Sequence, residues 1–318
     1  MFLSIVTTLY ESEDTILDFY TRISAAAQVV AKNDYEIIFV NDGSSDLSLS
    51  LAKDLHNKDS KVSIVDLSKN FGHHRALMVG LEHSSGELVF LIDSDLEENP
   101  EELVSFYKKL KQDSSLDVVY GVQNERKGGF LERIFGLIFY KLFNFLSDSV
   151  TIPENSSTIR IMKRAYVESL LLFKDKEIYF TPLADMAGFH QEQHIIHKGY
   201  KKNTTYNFQK RYHLFINAIF SYTTKPLFFM FYTGCLITTV AMCYIFYLLA
   251  AYIFYGVAVS GWRSTIVSIW FFGGLSILFL GIISIYISKI YTETKNRPNH
   301  VVKKFWIGRD RASAKEGV

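Results

Sequence analysis

The sequence has few cysteines and prolines and almost no net charge. Its 318 residues include only two cysteines and five prolines, and its net charge is +1 at pH 7. Cys235 and Cys243 lie in a strongly apolar segment, where small buried residues are a better interpretation than a disulfide or a metal site. Nucleic-acid binding needs a concentrated basic surface, so we expect no nucleic acid partner.

A cleavable signal peptide is also not expected. Met1 runs directly into the strand-like residues Phe2 to Val6, without a charged region followed by an apolar one. We therefore expect the first two hundred residues to stay in the cytoplasm.

Two long segments lack charge. Residues 226–256 contain no ionisable acid or base apart from tyrosines, and residues 265–288 contain no charge. Each exceeds the roughly 20 apolar residues that a helix needs to cross a hydrocarbon core. They predict two transmembrane helices, at about 226–256 and 265–290, in a membrane region spanning 213–292. Two buried helices of a soluble protein are the alternative.

Positive charge flanks these segments and is nearly absent between them. The intervening loop, 257–264, carries only Arg263, whereas the outer flanks carry Lys210, Arg211, Lys225, Lys289, Lys295, Arg297, Lys303 and Lys304. Because cytoplasmic loops of membrane proteins are rich in Lys and Arg, this asymmetry predicts a hairpin with both termini in the cytoplasm. The remaining residues, 293–318, are expected to form a basic cytoplasmic tail.

Residues 1–212 predict a cytoplasmic domain in which strands alternate with helices. Apolar runs such as Phe2–Thr7, Glu36–Asn41 and Glu87–Ile92 have the length of strands. The alternation predicts right-handed crossovers and an α/β fold with a mainly parallel sheet. Ligands bind such sheets at the carboxyl ends of the strands, and Asp42, Asn70 and Asp93 all fall there.

Three carboxylates follow the most apolar of these strands. In the run LVFLIDSDLEENP at 88–100, Asp93, Asp95 and Glu97 lie at positions i, i+2 and i+4. Such side chains can converge on one hard cation, and oxygen ligands suit Mg²⁺ or Mn²⁺, which can also hold a diphosphate. A solvated acidic loop is the alternative interpretation.

The turn after the second strand offers another binding side chain. Asp42 could accept hydrogen bonds from a base or a ribose, or it could form an Asx turn that caps the next helix. Ser44 or Ser45 could also cap that helix.

The segment Asn70–His74 follows the third strand and opens a helix. Its backbone N–H groups could therefore meet an anion. The adjacent His73 and His74 are not accompanied by a second His or Cys pair at ligand spacing. Solvent-facing or helix-capping histidines are therefore favoured over a metal site.

These segments resemble motifs of the family 2 glycosyltransferases. NDGSSD at 41–46, NFGHHRA at 70–76 and DSDLEENP at 93–100 are similar, in order and spacing, to those of the polyprenyl-phosphate glycosyltransferases. That group contains the bactoprenol glucosyltransferases and the dolichol-phosphate mannose synthases. The resemblance continues through GVQNER at 121–126, RIMKR at 160–164, SYTTKPL at 221–227 and IYTETKNRP at 290–298. It covers nearly the whole chain.

The resemblance implies a GT-A catalytic domain, an interfacial amphipathic helix at about 128–148 and a transmembrane hairpin. A buried core helix is the alternative for 128–148. The implied enzyme is a multi-pass protein of the bacterial inner (plasma) membrane. It would transfer a sugar, with inversion, from a nucleotide diphosphate such as a UDP-sugar to a polyprenyl phosphate such as undecaprenyl phosphate. The product would serve cell-envelope polysaccharide or O-antigen modification.

The resemblance also implies roles for individual residues. The catalytic residues would be Asp93, Asp95 and Arg160, and the ligands of Mg²⁺ or Mn²⁺ would be Asp93, Asp95 and Glu97. The acceptor phosphate would contact Arg126, Arg133 and Arg160, for each of which a surface cation near lipid headgroups is the alternative. The nucleotide sugar would contact Thr8, Tyr10, Asp42, Asn70, Gly72, Asp93 and Ser94. The basic loop 198–206 could contact the donor diphosphate or anionic lipid.

Departures from the family pattern leave some points open. Ser157-Thr158-Ile159-Arg160 stands where the family has Gly-Asp-Phe-Arg, so a mechanism with a base at that place could not operate. One alternative function is a membrane-anchored transferase that extends a lipid-linked oligosaccharide or polysaccharide. Another is a non-catalytic membrane scaffold with a transferase fold. Small residues at Gly273, Gly274 and Gly281 would allow close helix packing, which leaves a homo-oligomer open.

Overall fold

The computed structural model describes residues 1–123, 155–176, 178–196, 223–255 and 261–310. These residues fall into two compact units. The first contains the described residues before 197 and those from Arg297 onward. The second contains the described residues from 223 to Asn296.

The first unit is built on an eight-stranded sheet with helices packed on both faces. Its first half contains β1 (Leu3–Leu9), α1 (Ile16–Ala31), β2 (Tyr35–Asn41), α2 (Ser48–Lys58), β3 (Val62–Leu67), α3 (His73–Glu82), β4 (Leu88–Leu91) and α4 (Glu102–Gln112). It continues with β5 (Val118–Gln123), β6 (Ser156–Lys163), α5 (Arg164–Leu170), α6 (Phe180–Met186), β7 (Gln191–Ile196) and, after the second unit, β8 (Val302–Trp306).

The strand order in the sheet is β7-β5-β6-β4-β1-β2-β3-β8. Strands β4, β1, β2 and β3 pair in parallel, as do β5 and β7. Strand β6 runs antiparallel to both β4 and β5, and β8 runs antiparallel to β3. The predicted α/β fold with a largely parallel sheet is confirmed, and the antiparallel strands make it a mixed sheet.

The central strands are buried along their whole length because helices cover both faces. Every residue of β1, β2 and β3 is buried, which explains why these strands read as continuous apolar runs rather than alternating ones. On one face Phe19 and Phe106 from α1 and α4 pack against Phe39 and Phe90 of the sheet. The other face is covered by α3, α5 and α6.

The start of α2 differs from the prediction. Neither Ser44 nor Ser45 caps this helix, because the carboxylate of Asp46 accepts the Ser48 N–H at 3.0 Å and the Ser48 hydroxyl at 2.8 Å. Burial alone would raise the pKa of Asp46, but its hydrogen bonds from Ser44 and Ser48 outweigh burial and lower it. The aspartate that ends the NDGSSD motif is thus a structural residue.

The segment after Arg297 adds a strand that the sequence analysis did not predict. Strand β8 pairs with β3, with Phe305 opposite Val65. The Phe305 ring packs edge-on against His83, with 4.8 Å between the ring centroids. Residues predicted as part of a basic tail therefore cover the β3 edge of the sheet, which would otherwise expose unpaired backbone groups.

The described part of the second unit consists mainly of two helices, α7 (Lys225–Tyr255) and α8 (Trp262–Thr294). Both are long and apolar enough to cross a membrane, and almost none of their most apolar stretches is buried. Their positions match the two helices predicted from the uncharged segments. Cys235 and Cys243 form no disulfide, as expected, but both are exposed on α7 rather than buried.

Candidate active site

The carboxyl ends of β1 to β4 meet at one edge of the sheet, because these four strands pair in parallel. Asp42 follows β2, Asn70 follows β3 and Asp93 follows β4. The structure thus brings three of the predicted binding residues to the edge where such sheets bind ligands.

Asp42 holds the loop that follows β3. Its side chain is 2 % exposed, and its carboxylate accepts the N–H groups of Phe71 at 2.7 Å and Gly72 at 3.0 Å. Burial raises the pKa of Asp42, although these hydrogen bonds oppose the shift. The two amides predicted to meet a ligand anion therefore bind the carboxylate of Asp42 instead.

Gly43 allows the loops after β2 and β3 to pack closely. Its φ is +65°, and a Cβ atom at this position would lie 2.4 Å from the backbone nitrogen of Asn70. Any residue with a side chain at this position would push the two loops apart. The glycine of the NDGSSD motif is therefore required by this contact.

His73 lies between the ends of β1 and β4. Its Nδ1 is 3.2 Å from the Thr8 hydroxyl, and its Nε2 is 3.5 Å from Asp93 Oδ1. The His73 and Asp93 side chains are 36 % and 25 % exposed. Sequence reasoning favoured a solvent-facing or capping histidine here, whereas the structure places His73 inside the site. Its position after β3, at the same edge as Asn70, indicates this part of the sheet but not the contacts with Thr8 and Asp93.

His74 lies next to His73, with 5.4 Å between the ring centroids, but it has a different environment. Its ring lies near Tyr179, with 6.3 Å between the ring centroids, and its buried Nδ1 has no hydrogen-bond partner among the described residues. Burial, with a smaller contribution from His73, lowers the pKa of His74 to about 3. His74 is therefore neutral at physiological pH.

The two carboxylate oxygens of Asp93 have different surroundings. Oδ2 accepts a hydrogen bond from the Thr158 hydroxyl of β6 at 3.2 Å. Oδ1 is buried and has no hydrogen-bond partner in the described part of the chain. Thr158 was not predicted as a site residue, and it occupies the place where the family pattern has an aspartate.

Ser94 links the segment that follows β4 to the end of β1. It is 3 % exposed, and its hydroxyl donates to the backbone oxygen of Thr8 at 2.8 Å. Thr8 itself is 8 % exposed. These residues hold the end of β1 against the segment that carries Asp93.

The acidic run after Asp93 turns back on itself. Leu96 has a φ of +59°, and the Glu97 N–H donates to Asp95 Oδ1 at 3.1 Å. Glu98 is 1 % exposed and accepts a hydrogen bond from the Ser157 hydroxyl. In the described residues no group of three or more His, Cys, Asp and Glu side chains could hold a metal ion. Asp93, Asp95 and Glu97 therefore do not converge on one point by themselves.

Arg160 is buried beside this edge. It is 2 % exposed, and its guanidinium donates to the backbone oxygens of Thr158 at 3.2 Å and Ser157 at 3.4 Å. It also lies over the Phe180 ring, 4.6 Å from the ring centroid, and burial lowers its pKa. Residues of β5, α6 and the loop before β7 surround a cavity of about 330 Å³ that Arg160 lines. The predicted contact between Arg160 and an acceptor phosphate stays a prediction.

Two further predicted residues lie at the open edge of the site, and others lie outside the described residues. Tyr10 is 50 % exposed, and Asn70 is also exposed. The predictions that fall outside the described residues concern Arg126, Arg133, the interface helix at 128–148 and the loop 198–206.

Comparison with known sequences identifies related proteins. The family model described as Glycosyl transferase family 2 matches residues 4–171. A Mycobacterium tuberculosis protein named "Putative glycosyltransferases" is 42 % identical over 306 residues, which cover 96 % of this chain and 89 % of that protein. The SfII prophage-derived bactoprenol glucosyl transferase of Shigella flexneri is 30 % identical over 307 residues, covering 96 % of this chain and 98 % of that protein.

A solved structure with a similar fold is the glucosyl-3-phosphoglycerate synthase of Mycobacterium tuberculosis. It was determined in complex with Mn²⁺, uridine diphosphate and glucosyl-3-phosphoglycerate. The TM-score is 0.52 at 19 % sequence identity, covering 70 % of this chain and 80 % of that one. At this identity the likeness shows the fold alone, and it confirms the GT-A architecture.

Proposed function

The chain belongs to glycosyl transferase family 2, and on that premise we propose that it transfers one sugar from a UDP-sugar to the phosphate of a polyprenyl lipid. It is a glycosyltransferase with a GT-A fold. One observation supports a polyprenyl phosphate as the acceptor. The chain is similar to a bactoprenol glucosyl transferase over 98 % of that protein's length. The matched region covers 96 % of this chain, so the likeness extends well beyond the sheet.

The two apolar helices support a lipid acceptor. Side chains of α7 and α8 such as Phe229 and Trp270 are 71 % and 79 % exposed, and soluble proteins rarely expose apolar surface of this extent. We propose that both helices cross the bacterial plasma membrane. An acceptor that is mostly hydrocarbon would then present its phosphate at the same membrane surface.

The strand order of the sheet constrains how many times the chain can cross the membrane. Strand β7 precedes the two helices and β8 follows them, yet both belong to one sheet. A single sheet can lie on only one side of a membrane, so the number of crossings between β7 and β8 must be even. Two spans satisfy this, and the flanking Lys and Arg residues favour the cytoplasmic side.

We propose that Asp93 binds a divalent cation, Mg²⁺ or Mn²⁺, together with the donor diphosphate. The buried Asp93 Oδ1, which lacks a hydrogen-bond partner in the described residues, supports this assignment. Mg²⁺ sites commonly use one or two carboxylates, substrate phosphates and several waters, so a three-residue cage is not needed. Asp95 and Glu97 stay predicted ligands of that cation. The bound cation would neutralise charge on the leaving nucleoside diphosphate.

The reaction needs positioning more than a base. A lipid phosphate is already anionic at neutral pH, so its oxygen can attack the anomeric carbon without losing a proton. The bond from that carbon to the donor phosphate oxygen breaks as the new bond forms on the opposite face, which inverts the configuration. Consistent with this, Thr158 offers a hydroxyl where an acidic base would stand, and that hydroxyl binds Asp93.

The remaining residues divide into three groups. Tyr10 and Asn70 are exposed at the carboxyl edge, and we assign them contacts with the donor. Buried Asp42 and Ser94 shape the loops around the donor. Arg126 and Arg133 are the proposed cations for the acceptor phosphate.

The test incubates membranes that contain the full-length protein with undecaprenyl phosphate and a panel of radiolabelled nucleotide sugars. We expect one UDP-sugar to give lipid-extractable label that requires both the lipid and a divalent cation. Asp93→Asn should reduce labelling by roughly 10²–10³-fold, the usual loss when one group that stabilises transition-state charge is removed. Asp14→Asn, at an exposed position, is the matched control. Absence of lipid-borne label with every donor would refute the proposal.

A further inference from the structure

His73 is an ionisable residue of the site to which the reaction above assigns no role. Its imidazole stands between a hydroxyl of β1, that of Thr8, and the carboxylate of Asp93. About a third of the His73 side chain is exposed, so the ring remains accessible from the open edge of the sheet.

The distance between His73 and Asp93 suits two ligands of one metal ion better than a direct hydrogen bond. N–H···O bonds cluster at about 2.9–3.0 Å, whereas His73 Nε2 and Asp93 Oδ1 are 3.5 Å apart. Asp93 Oδ1 accordingly has no hydrogen-bond partner among the described residues. Mg²⁺ holds its ligands at about 2.0–2.1 Å, so two ligands of one ion can lie up to about 4.2 Å apart.

The contact with Thr8 favours the tautomer of His73 in which Nε2 has a lone pair on the side of Asp93. The Thr8 hydroxyl lies 3.2 Å from His73 Nδ1 and can accept its N–H. Thr8 is 8 % exposed within a fully buried strand, so the partner is fixed in place. Metal-binding histidines commonly donate their other ring N–H to such a partner, which sets the tautomer and the ring orientation.

We propose that His73 Nε2 binds the divalent cation together with Asp93 Oδ1. This inference rests on the proposed function, because it adds a nitrogen ligand to the cation assigned there to Asp93. Diphosphate oxygens and water would fill the remaining positions. Mg²⁺ takes oxygen ligands and keeps several waters, so a nitrogen ligand should shift the preference of the site from Mg²⁺ toward Mn²⁺.

The test measures nitrogen coupling to bound Mn²⁺ by electron spin-echo spectroscopy. The full-length protein is loaded with Mn²⁺ and UDP in two preparations, one of natural isotopic composition and one grown with ¹⁵N-labelled histidine. We expect ¹⁴N modulation in the first and the ¹⁵N pattern in the second. The coupling should disappear in His73→Gln, and Mn²⁺ affinity should fall about tenfold or more, with a smaller change for Mg²⁺.

Two other variants sharpen this result. His74→Gln is the matched control and should keep the coupling, because His74 is the neighbouring histidine, whereas the ring nitrogen next to Asp93 Oδ1 belongs to His73. If that variant does not fold, His190→Gln at an exposed position takes its place. Thr8→Val removes the partner of Nδ1 and should weaken Mn²⁺ binding about 10–100-fold.

The outcomes separate this inference from the proposed function. Bound Mn²⁺ without histidine coupling, or coupling that persists in His73→Gln, would overturn the inference while label transfer to lipid still supports the enzyme. Failure of the wild-type protein to bind Mn²⁺ would overturn both the inference and the cation at Asp93. Lipid-borne label in the donor panel would then still establish the transfer itself.

Discussion

At the scale of single residues, the site separates buried polar side chains that shape it from partly exposed ones that can meet a ligand. Asp42 and Ser94 are 2 % and 3 % exposed, and both are occupied by hydrogen bonds within the protein. His73 and Asp93 are 36 % and 25 % exposed. The sequence motifs contain both kinds of residue, so a motif position alone does not identify a ligand contact.

Asp42 offers a test of this distinction. An amide at this position would place an NH₂ group against one of the two backbone N–H donors. We expect Asp42→Asn to lower the free energy of unfolding by about 1–3 kcal/mol, the cost of an unsatisfied buried group. Thermal unfolding of the full-length protein in detergent would measure it, with exposed Asp34→Asn as the control.

The effect of Asp42→Asn on stability should also depend on pH, and the direction of that dependence follows from the pKa of Asp42. Burial raises the pKa of Asp42, so the folded state binds the proton more readily than the unfolded state. The contribution of Asp42 to stability is therefore greatest below the unfolded pKa of about 3.9 and declines as the pH rises through the folded pKa. The difference in stability between wild type and Asp42→Asn should shrink as the pH rises above about 4. A difference that grows with pH would contradict this assignment.

Arg160 provides a second test at this scale. Its guanidinium binds two backbone oxygens of β6 and stacks on Phe180, which a lysine cannot do at once. We expect Arg160→Lys to destabilise the protein by about 1.5–3 kcal/mol and to reduce the use of donor and acceptor alike. Arg309→Lys, at an exposed position, supplies the control and should change stability little.

Steady-state kinetics distinguish a structural role of Arg160 from a direct contact with the acceptor phosphate. If the apparent KM for the lipid phosphate rose while donor use and the melting temperature stayed unchanged, the structural role would be wrong. A direct contact with the acceptor phosphate would then be favoured.

At the scale of elements, the site depends on strands that arrive from distant parts of the sequence. Strand β6 places Thr158 against Asp93, and β8 covers the outer edge of β3. Strand β8 is short and rich in lysine, and only its pairing partner and the packing of its aromatic residues identify it as part of the sheet.

The contribution of β8 can be measured with Phe305→Ala. The Phe305 ring packs on His83 and on the apolar cluster under α3, so its removal should cost about 1–3 kcal/mol, less than for a fully buried phenylalanine. Lys303→Ala, at an exposed position of the same strand, is the matched control. Equal melting temperatures for Phe305→Ala and wild type would show that β8 does not contribute to the fold.

At the scale of the whole molecule, one sheet contains strands that precede the two apolar helices in the sequence and a strand that follows them. The proposed membrane arrangement predicts that residues 299–306 are cytoplasmic and that the turn between α7 and α8 reaches the other side. After both native cysteines are replaced by alanine, single cysteines at Lys303 and Gly261 can be labelled in whole cells. An impermeant maleimide should label Gly261→Cys at once and Lys303→Cys only after permeabilisation. Equal labelling of both before permeabilisation would contradict the topology.

Much of this architecture could be predicted from sequence because it depends on local patterns. Apolar runs identified the parallel strands, and uncharged stretches identified α7 and α8. The carboxyl-edge rule placed Asp42, Asn70 and Asp93 together. Each of these inferences needed only a short window of sequence.

The features that sequence reasoning missed depend on contacts between distant residues. His73 joins the site because β1 and β4 are neighbours in the sheet, which brings Thr8 and Asp93 to it. Asp42 looked like a ligand-binding carboxylate, but the loop after β3 supplies its partners from 29 and 30 positions away. No local pattern encodes either pairing.

The central claim is that one sugar passes from the donor to a lipid phosphate. Mass spectrometry of the lipid formed from undecaprenyl phosphate and the accepted donor tests it most directly. We predict a product whose mass corresponds to one sugar residue on a single phosphate, formed together with an equal amount of UDP, and reduced roughly 10²–10³-fold in Asp93→Asn. A lipid that carries a diphosphate or a chain of several sugars, or UDP released without any new lipid, would contradict it.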